Sequence, residues 1–346
     1  MQYGYIPGFD KPISRLVQGA MMEFITSPST VGGQRSTADK YHGAWPTMVT
    51  PYDEHLKIDV GVYRAMIEWY VAHDVGGIYA NCLSSEMYWL DDGERLLLVA
   101  KAVETAHGRV PVAATGNLGE TVEAHIAFCR RVAEAGADVV MLVVPPFHDN
   151  DADLERYYLT IAEKVDAPLG LYECPVPRPY HLGISLVRTL AQTGRFFAFK
   201  ETSCDLTKIK ALLDVTRDTP LSLLQANTPY LLESIQAGGL GTMSIAAIWL
   251  PDLVTAVIGL GQAGDPGAER LHGILCALEL AQRVVHPRGS KYLLGKRGLP
   301  ITPRARHPRS PLTPEEVRAL DYAAAYWFRA DGSLAAPDPL PVRCTP

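Results

Sequence analysis

The sequence predicts an α/β protein, a (β/α)8 TIM barrel with additional C-terminal helices, and three observations carry that prediction. Eight short apolar runs recur at intervals of roughly 25 to 35 residues, the size of a strand–loop–helix repeat. The runs are apolar almost throughout rather than alternating, as parallel strands covered on both faces are. A Gly-rich turn after the first strand, which a doubly wound nucleotide-binding sheet requires, is missing, because that run ends in Pro51-Tyr52-Asp53.

The elements follow in order. The first strand is expected over about Ala44–Thr50, and Asp59 caps a helix reaching His73 with Val62, Met66, Trp69 and Tyr70 along one face. The second strand, Gly77–Cys82, closes in Leu83-Ser84-Ser85-Glu86, and Asp91 or Asp92 opens a helix to His107. Val110–Thr115 is the third strand; Thr121 caps the helix after it, which stops at Ala135 before Gly136. Asp138–Val144 is the fourth, ending in Pro145-Pro146-Phe147-His148, with a helix over Asp153–Val165. Pro168–Tyr172 is the fifth, followed by Glu173-Cys174-Pro175 and a helix over Ser185–Gln192. The run Phe196-Phe197-Ala198-Phe199 makes the sixth strand and Lys200 closes it; a helix over Leu206–Val215 comes next. Leu221–Gln225, a helix over Pro229–Ala237, and Gly241–Ala247 complete the eight. Gly267–Val285 and Pro314–Arg329 read as further helices. Residues 1–42 are expected to be an N-terminal extension, 43–262 the barrel, 263–332 a C-terminal helical region and 333–346 a Pro-rich tail.

Bulk properties narrow the function. In 346 residues the apolar share is 47%, ample for a large core, and the formal charge of −6 leaves no cation excess for nucleic acid. Six scattered cysteines without a CxxC pair suit reduced thiols, and no apolar run approaches the ~20 residues that span a bilayer. A cytoplasmic protein with neither a nucleic-acid nor a membrane partner is expected. The basic stretch from Arg283 to Arg309 reads as a solvated surface or a subunit contact.

Active sites of such barrels lie at the C-terminal ends of the strands. That rule selects Thr50, Ser84, Glu86, Asn117, His148, Tyr172, Glu173, Lys200, Thr202 and Asn227. A lysine ending a buried strand loses hydration, which favours its neutral, nucleophilic form, able to condense with a 2-oxo acid. Tyr172 stands one strand away at the same level, where a phenol can pass protons. Thr202 follows the lysine by two and shares its side of the strand, and Glu173 brings a carboxylate nearby. Ser244, in the last strand, is a weaker pocket candidate. No cofactor is expected, and no strand-end cluster has metal-ligand spacing. Gly238-Gly239-Leu240-Gly241 precedes the eighth strand, so it belongs to the barrel bottom rather than to a phosphate site.

Thr-Pro-Tyr-Asp, the Ser-Ser-Glu turn, Pro-Pro-Phe-His, Tyr-Glu-Cys-Pro and Phe-Lys-Glu-Thr, in that order from about Gly43 to Arg329, resemble the dihydrodipicolinate synthase / N-acetylneuraminate lyase family. The resemblance implies a class I, metal-free lyase, aldolase, hydratase-aldolase or dehydratase acting on pyruvate or a pyruvate-derived 2-oxo acid. It implies an imine on Lys200 and Tyr172 as proton carrier, and it aligns His148 with a relay position. It places substrate-binding groups at Ser84 and Ser85 and implies a homo-tetramer or homo-dimer; Thr202, Glu173, Asn227 and Ser244 are expected around that turn from their strand positions. Leu83 stands where the family has a relay threonine, Phe147 where it has a tyrosine, and Pro177 where it has an arginine. The stretch Ala226-Asn227-Thr228-Pro229 lacks the acids that hold a polyol. These departures point away from both namesake substrates. The alternatives are a small-carboxylate sensor that has lost turnover and, less favoured, a metal-dependent barrel hydrolase.

Overall fold

A computed structural model describes residues 41–327 and 329; the expected N-terminal extension, apart from Tyr41 and His42, and the Pro-rich tail lie outside the described residues. Eight strands, β1 (Gly43–Pro46), β2 (Ile78–Asn81), β3 (Val112–Thr115), β4 (Val139–Val143), β5 (Leu169–Tyr172), β6 (Phe196–Glu201), β7 (Ser222–Gln225) and β8 (Gly241–Ser244), form one parallel sheet in the order β1-β8-β7-β6-β5-β4-β3-β2. The ends meet through a parallel bridge between Thr47 and Tyr79, which closes the barrel. At the β1–β8 seam, a Cβ on Gly241 would fall 2.1 Å from the Gly43 carbonyl oxygen, so the two backbones approach closely only because Gly241 has none. The Gly238–Gly241 run is thus spent at the entry to β8.

The helices between strands are α1 (Val60–Ala72), α2 (Asp92–Ala106), α3 (Val122–Glu134), α4 (Asp151–Lys164), α5 (Ile184–Gln192), α6 (Leu206–Thr216) and α7 (Leu231–Gln236). Asp59, Asp91 and Thr121 accept hydrogen bonds from backbone N–H groups of the first turns they precede, as their sequence positions predict. α4 starts two residues earlier than expected because Asn150, not a residue at its start, supplies the cap to Asp153 N. β8 is shorter than expected: Ser244 Oγ accepts from Ala247 N at 3.4 Å and turns the chain into a short helix, α8 (Ala246–Trp249). α9 (Pro251–Gln262), α10 (Gly267–Arg283), α11 (Arg288–Lys296) and α12 (Pro314–Trp327) complete the described chain.

The basic stretch is a solvated surface only in part: Arg283, Lys296, Arg304 and Arg309 are exposed, but Arg288, Lys291 and Arg297 are buried. It contains α11 and contributes a buried clasp over the C-terminal mouth of the barrel. Lys291 Nζ donates to Glu86 at 2.7 Å and to the Arg304 carbonyl at 2.6 Å with no solvent contact. Arg297 pairs with Asp252 at 2.8 Å and donates to the Trp249 carbonyl, and Arg306 pairs with Glu94. Charge counting along the chain misses this because each partner comes from a distant element. Among the described residues no helix is long and apolar enough to cross a membrane.

Candidate active site

β5 and β6 register Tyr172 directly opposite Lys200. Phe196, Ala198 and Phe199 bury the strand, and Lys200 follows them into the interior with 6% exposure. Its Nζ lies 4.3 Å from the Tyr172 ring centroid and 5.7 Å from that of Tyr79. Burial pushes the amine down from the ordinary lysine value, while Cys82 and Cys174 oppose the shift. No carboxylate pairs with it among the described residues, so nothing offsets the lost hydration of the charged form. Burial holds the Tyr172 phenol well above its ordinary value, which keeps the proton on it. Tyr79 packs edge-on to Tyr172 and bonds Thr115 Oγ1 at 2.9 Å.

The turn after β2 is a 3-10 helix over Leu83–Ser85, and its two hydroxyls divide the work. Ser85 Oγ shares its one proton between the carbonyls of Met48 and Ala80 and accepts from Cys82 N, so it is committed to backbone. Ser84 Oγ instead reaches Thr47 Oγ1 at 3.2 Å and His286 Nε2 at 3.0 Å. Glu86 sits in the left-handed region at φ 61° and its carboxylate accepts from Lys291 Nζ and from the N–H groups of Arg306 and His307. That carboxylate anchors the clasp to the turn.

The remaining expected positions spread around the rim. Glu173 faces away from the Lys200 side, as strand alternation requires, and accepts from Leu182 N at 2.8 Å and Thr202 N at 2.9 Å. Burial pushes its carboxyl up to about 7 against those two bonds and the Lys208 charge. Thr202 Oγ1 donates to the Glu173 carbonyl, tying the ends of β5 and β6 together. Asn227 lies two residues beyond β7, and its side-chain Nδ2 is buried without a hydrogen-bond partner. Ser244 Oγ is occupied by Ala247 N, as described above. His148 packs its ring on Phe147 and Tyr157, and its carbonyl accepts from Arg178. The structure brings Lys200 and Tyr172 together and Ser84 to the same mouth; His148 makes no contact with Lys200 or Tyr172.

Sequence reasoning missed two sets of residues. The Cys174 thiol lies against the hydroxyls of Tyr172 and Tyr88, and burial keeps it protonated. Its place two residues after Tyr172 was the available signal. His286, which lies 202 positions from Ser84, had none. Burial, then the charges of Lys291 and Lys200, push its imidazole down to about 3. Among the described residues there is no group of three or more His, Cys, Asp or Glu side chains placed to hold a metal ion.

A family model described as the dihydrodipicolinate synthetase family matches residues 40–325. A curated 4-hydroxy-tetrahydrodipicolinate synthase from Haloarcula marismortui is 29% identical over 289 residues, covering 83% of this chain and 92% of that one. Its counterpart from Methanoculleus marisnigri is 30% identical over 242 residues, covering 69% and 82%. Among solved structures, a dihydrodipicolinate synthase from Aquifex aeolicus superposes with a TM-score of 0.76 at 23% identity, covering 82% of this chain and 97% of that one. A prophage protein of the same family from E. coli K12, solved with pyruvate, gives a TM-score of 0.76 at 21% identity, with coverage of 82% and 98%. At those identities the structural likeness speaks for the fold alone.

Proposed function

The chain belongs to the dihydrodipicolinate synthetase family, a family of class I lyases, and on that footing we propose that Lys200 forms an imine with pyruvate or a pyruvate-derived 2-oxo acid. The observation that carries this reading is a buried lysine without a carboxylate partner, placed in register with a buried tyrosine. The neutral amine attacks the ketone carbon, giving a carbinolamine whose hydroxyl leaves as water when a proton reaches it. Tyr172, holding its proton, is the donor nearest that step and regains a proton when the adjacent carbon is deprotonated. The resulting enamine adds to an aldehyde, and the reverse sequence cleaves a carbon–carbon bond. Ser84 is the hydroxyl proposed for the substrate carboxylate. His148, at the rim, and Asn227, with its unpaired amide, are proposed to meet the second substrate rather than the imine. Glu173, Thr202, Ser85 and Ser244 act as struts in this reading, since their polar groups are engaged with backbone.

Pyruvate and a series of aldehydes, together with 2-oxo-acid aldols, assayed against wild type and Lys200→Ala test the proposal. Turnover by wild type that disappears in the variant is expected; turnover retained by Lys200→Ala would overturn it. A homo-dimer or homo-tetramer is proposed as the working form, and a solution mass equal to one chain would exclude it.

A further inference from the structure

Ser84 is one link in a hydrogen-bonded series whose direction can be read from its far end. Gln282 Nε2 donates to the Ile245 carbonyl at 3.0 Å, so its Oε1 faces Ser290 and accepts the Ser290 hydroxyl at 2.6 Å. Ser290 has then spent its proton, and its oxygen must accept from His286 Nδ1 at 2.8 Å. That assigns the proton of the neutral ring to Nδ1 and leaves Nε2 bare, facing Ser84 Oγ at 3.0 Å. The amide orientation and the tautomer both follow from this network.

Ser84 has one proton and two acceptors for it, His286 Nε2 and Thr47 Oγ1, since Thr47 donates onward to the Ser244 carbonyl at 3.3 Å. A carboxylate bound at Ser84 is a third acceptor. Donating to it turns the Ser84 proton away from His286 and leaves two lone pairs opposed in a buried site, a costly arrangement. Protonation of His286 resolves the conflict, because Nε2–H then donates to Ser84 Oγ and Ser84 donates to the carboxylate.

We propose that His286 is a positioning residue that couples carboxylate binding at Ser84 to uptake of one proton, through the Ser84–His286–Ser290–Gln282 series. The proposal rests on the reading of Ser84 given above. The balance is simple: one carboxylate enters, one proton moves from solvent to Nε2, and no covalent bond changes. The charged groups around the ring are Lys200 from β6 and Lys291 from α11, the latter neutralised by Glu86. Burial first, and then those two lysines, hold the ring neutral, and an arriving anion opposes the lysine charges.

Calorimetric titration of pyruvate in two buffers of different ionisation enthalpy counts the protons taken up, here in a pH series rising from about 4, above the value of about 3 to which the ring is pushed, with the variants compared at the pH of largest uptake. Proton exchange at Lys200 on imine formation is common to wild type and His286→Gln, whose side-chain amide keeps a hydrogen bond but takes no proton. Wild type is expected to take up about one proton more per pyruvate than His286→Gln. Equal uptake overturns the coupling. Should His286→Gln fail to fold, Ser84→Ala, which leaves no hydroxyl to turn, is expected to show the same deficit, and uptake equal to wild type overturns the coupling there too. Borohydride added to the wild-type mixture separates the two layers. An adduct on Lys200 with equal uptake overturns the coupling alone, whereas no adduct overturns the imine reading and the coupling built on it.

Discussion

Two buried lysines, Lys200 and Lys291, sit at the same end of the barrel in opposite circumstances. Lys291 arrives from α11 to a prepared partner: Glu86 at 2.7 Å, the Arg304 carbonyl at 2.6 Å and the Tyr52 ring at 4.6 Å. Burial lowers its amine to about 8, and Glu86 keeps the shift from going further. Around Lys200, among the described residues, lie the aromatic faces of Tyr172 and Tyr79 and the thiols of Cys82 and Cys174, and no carboxylate pairs with it. The difference teaches that burial alone does not mark a nucleophile. A buried cation with a carboxylate is a fastener; one left without a carboxylate has given up charge stability for reactivity.

The comparison can be broken most severely at Lys200 itself. Lys200→Ala is expected to lose all imine formation and turnover, while its fold, followed by circular dichroism, persists. Tyr172→Phe is next, with kcat expected to fall about 10²–10⁴-fold while pyruvate still forms a trappable adduct. The two lysines then part on stability. Lys291→Met is expected to cost about 3–5 kcal/mol in denaturant unfolding, because Glu86 is left buried without its cation, holding only the Arg306 and His307 N–H groups. Lys200→Met is expected to gain about 0.5–2 kcal/mol, because it removes an uncompensated buried amine. A loss in both variants would erase the distinction.

Titration sharpens the comparison further. The folded value of Lys200 lies below its unfolded value, so between the two the unfolded chain binds more protons. Stability therefore rises with pH through that window, and the burden imposed by Lys200 is fully present only below the folded value. The rate of imine formation rises through the same folded value and levels off at a lower pH than it does for a free lysine amine, which a pH series of trapping rates would show. Glu173→Gln carries the smallest expected effect, a change in trapping rate within about threefold, since its contacts run to Leu182 and Thr202 backbone.

Much of this was legible in the chain. Apolar runs of strand length, with Asp59, Asp91 and Thr121 placed to cap the helices, are local signals, and local signals survive folding. Lys200 and Tyr172 were found because each closes a strand and neighbouring parallel strands share a level. The serine turn was legible as a turn, but its division of labour was not: Ser84 and Ser85 are adjacent in sequence, and only the third dimension commits one to backbone and leaves the other to His286. The clasp was misread for the same reason. Glu86 and Lys291 are separated by 205 positions, and no periodicity links a turn after β2 to a helix beyond β8.

Lys200, and not Lys291, is the proposed nucleophile. Incubation with pyruvate and borohydride, followed by peptide mass mapping, tests this assignment most directly. A reduced pyruvyl adduct is expected on the peptide containing Lys200 and none on the peptide containing Lys291. An unmodified Lys200, or an adduct on Lys291, would contradict it.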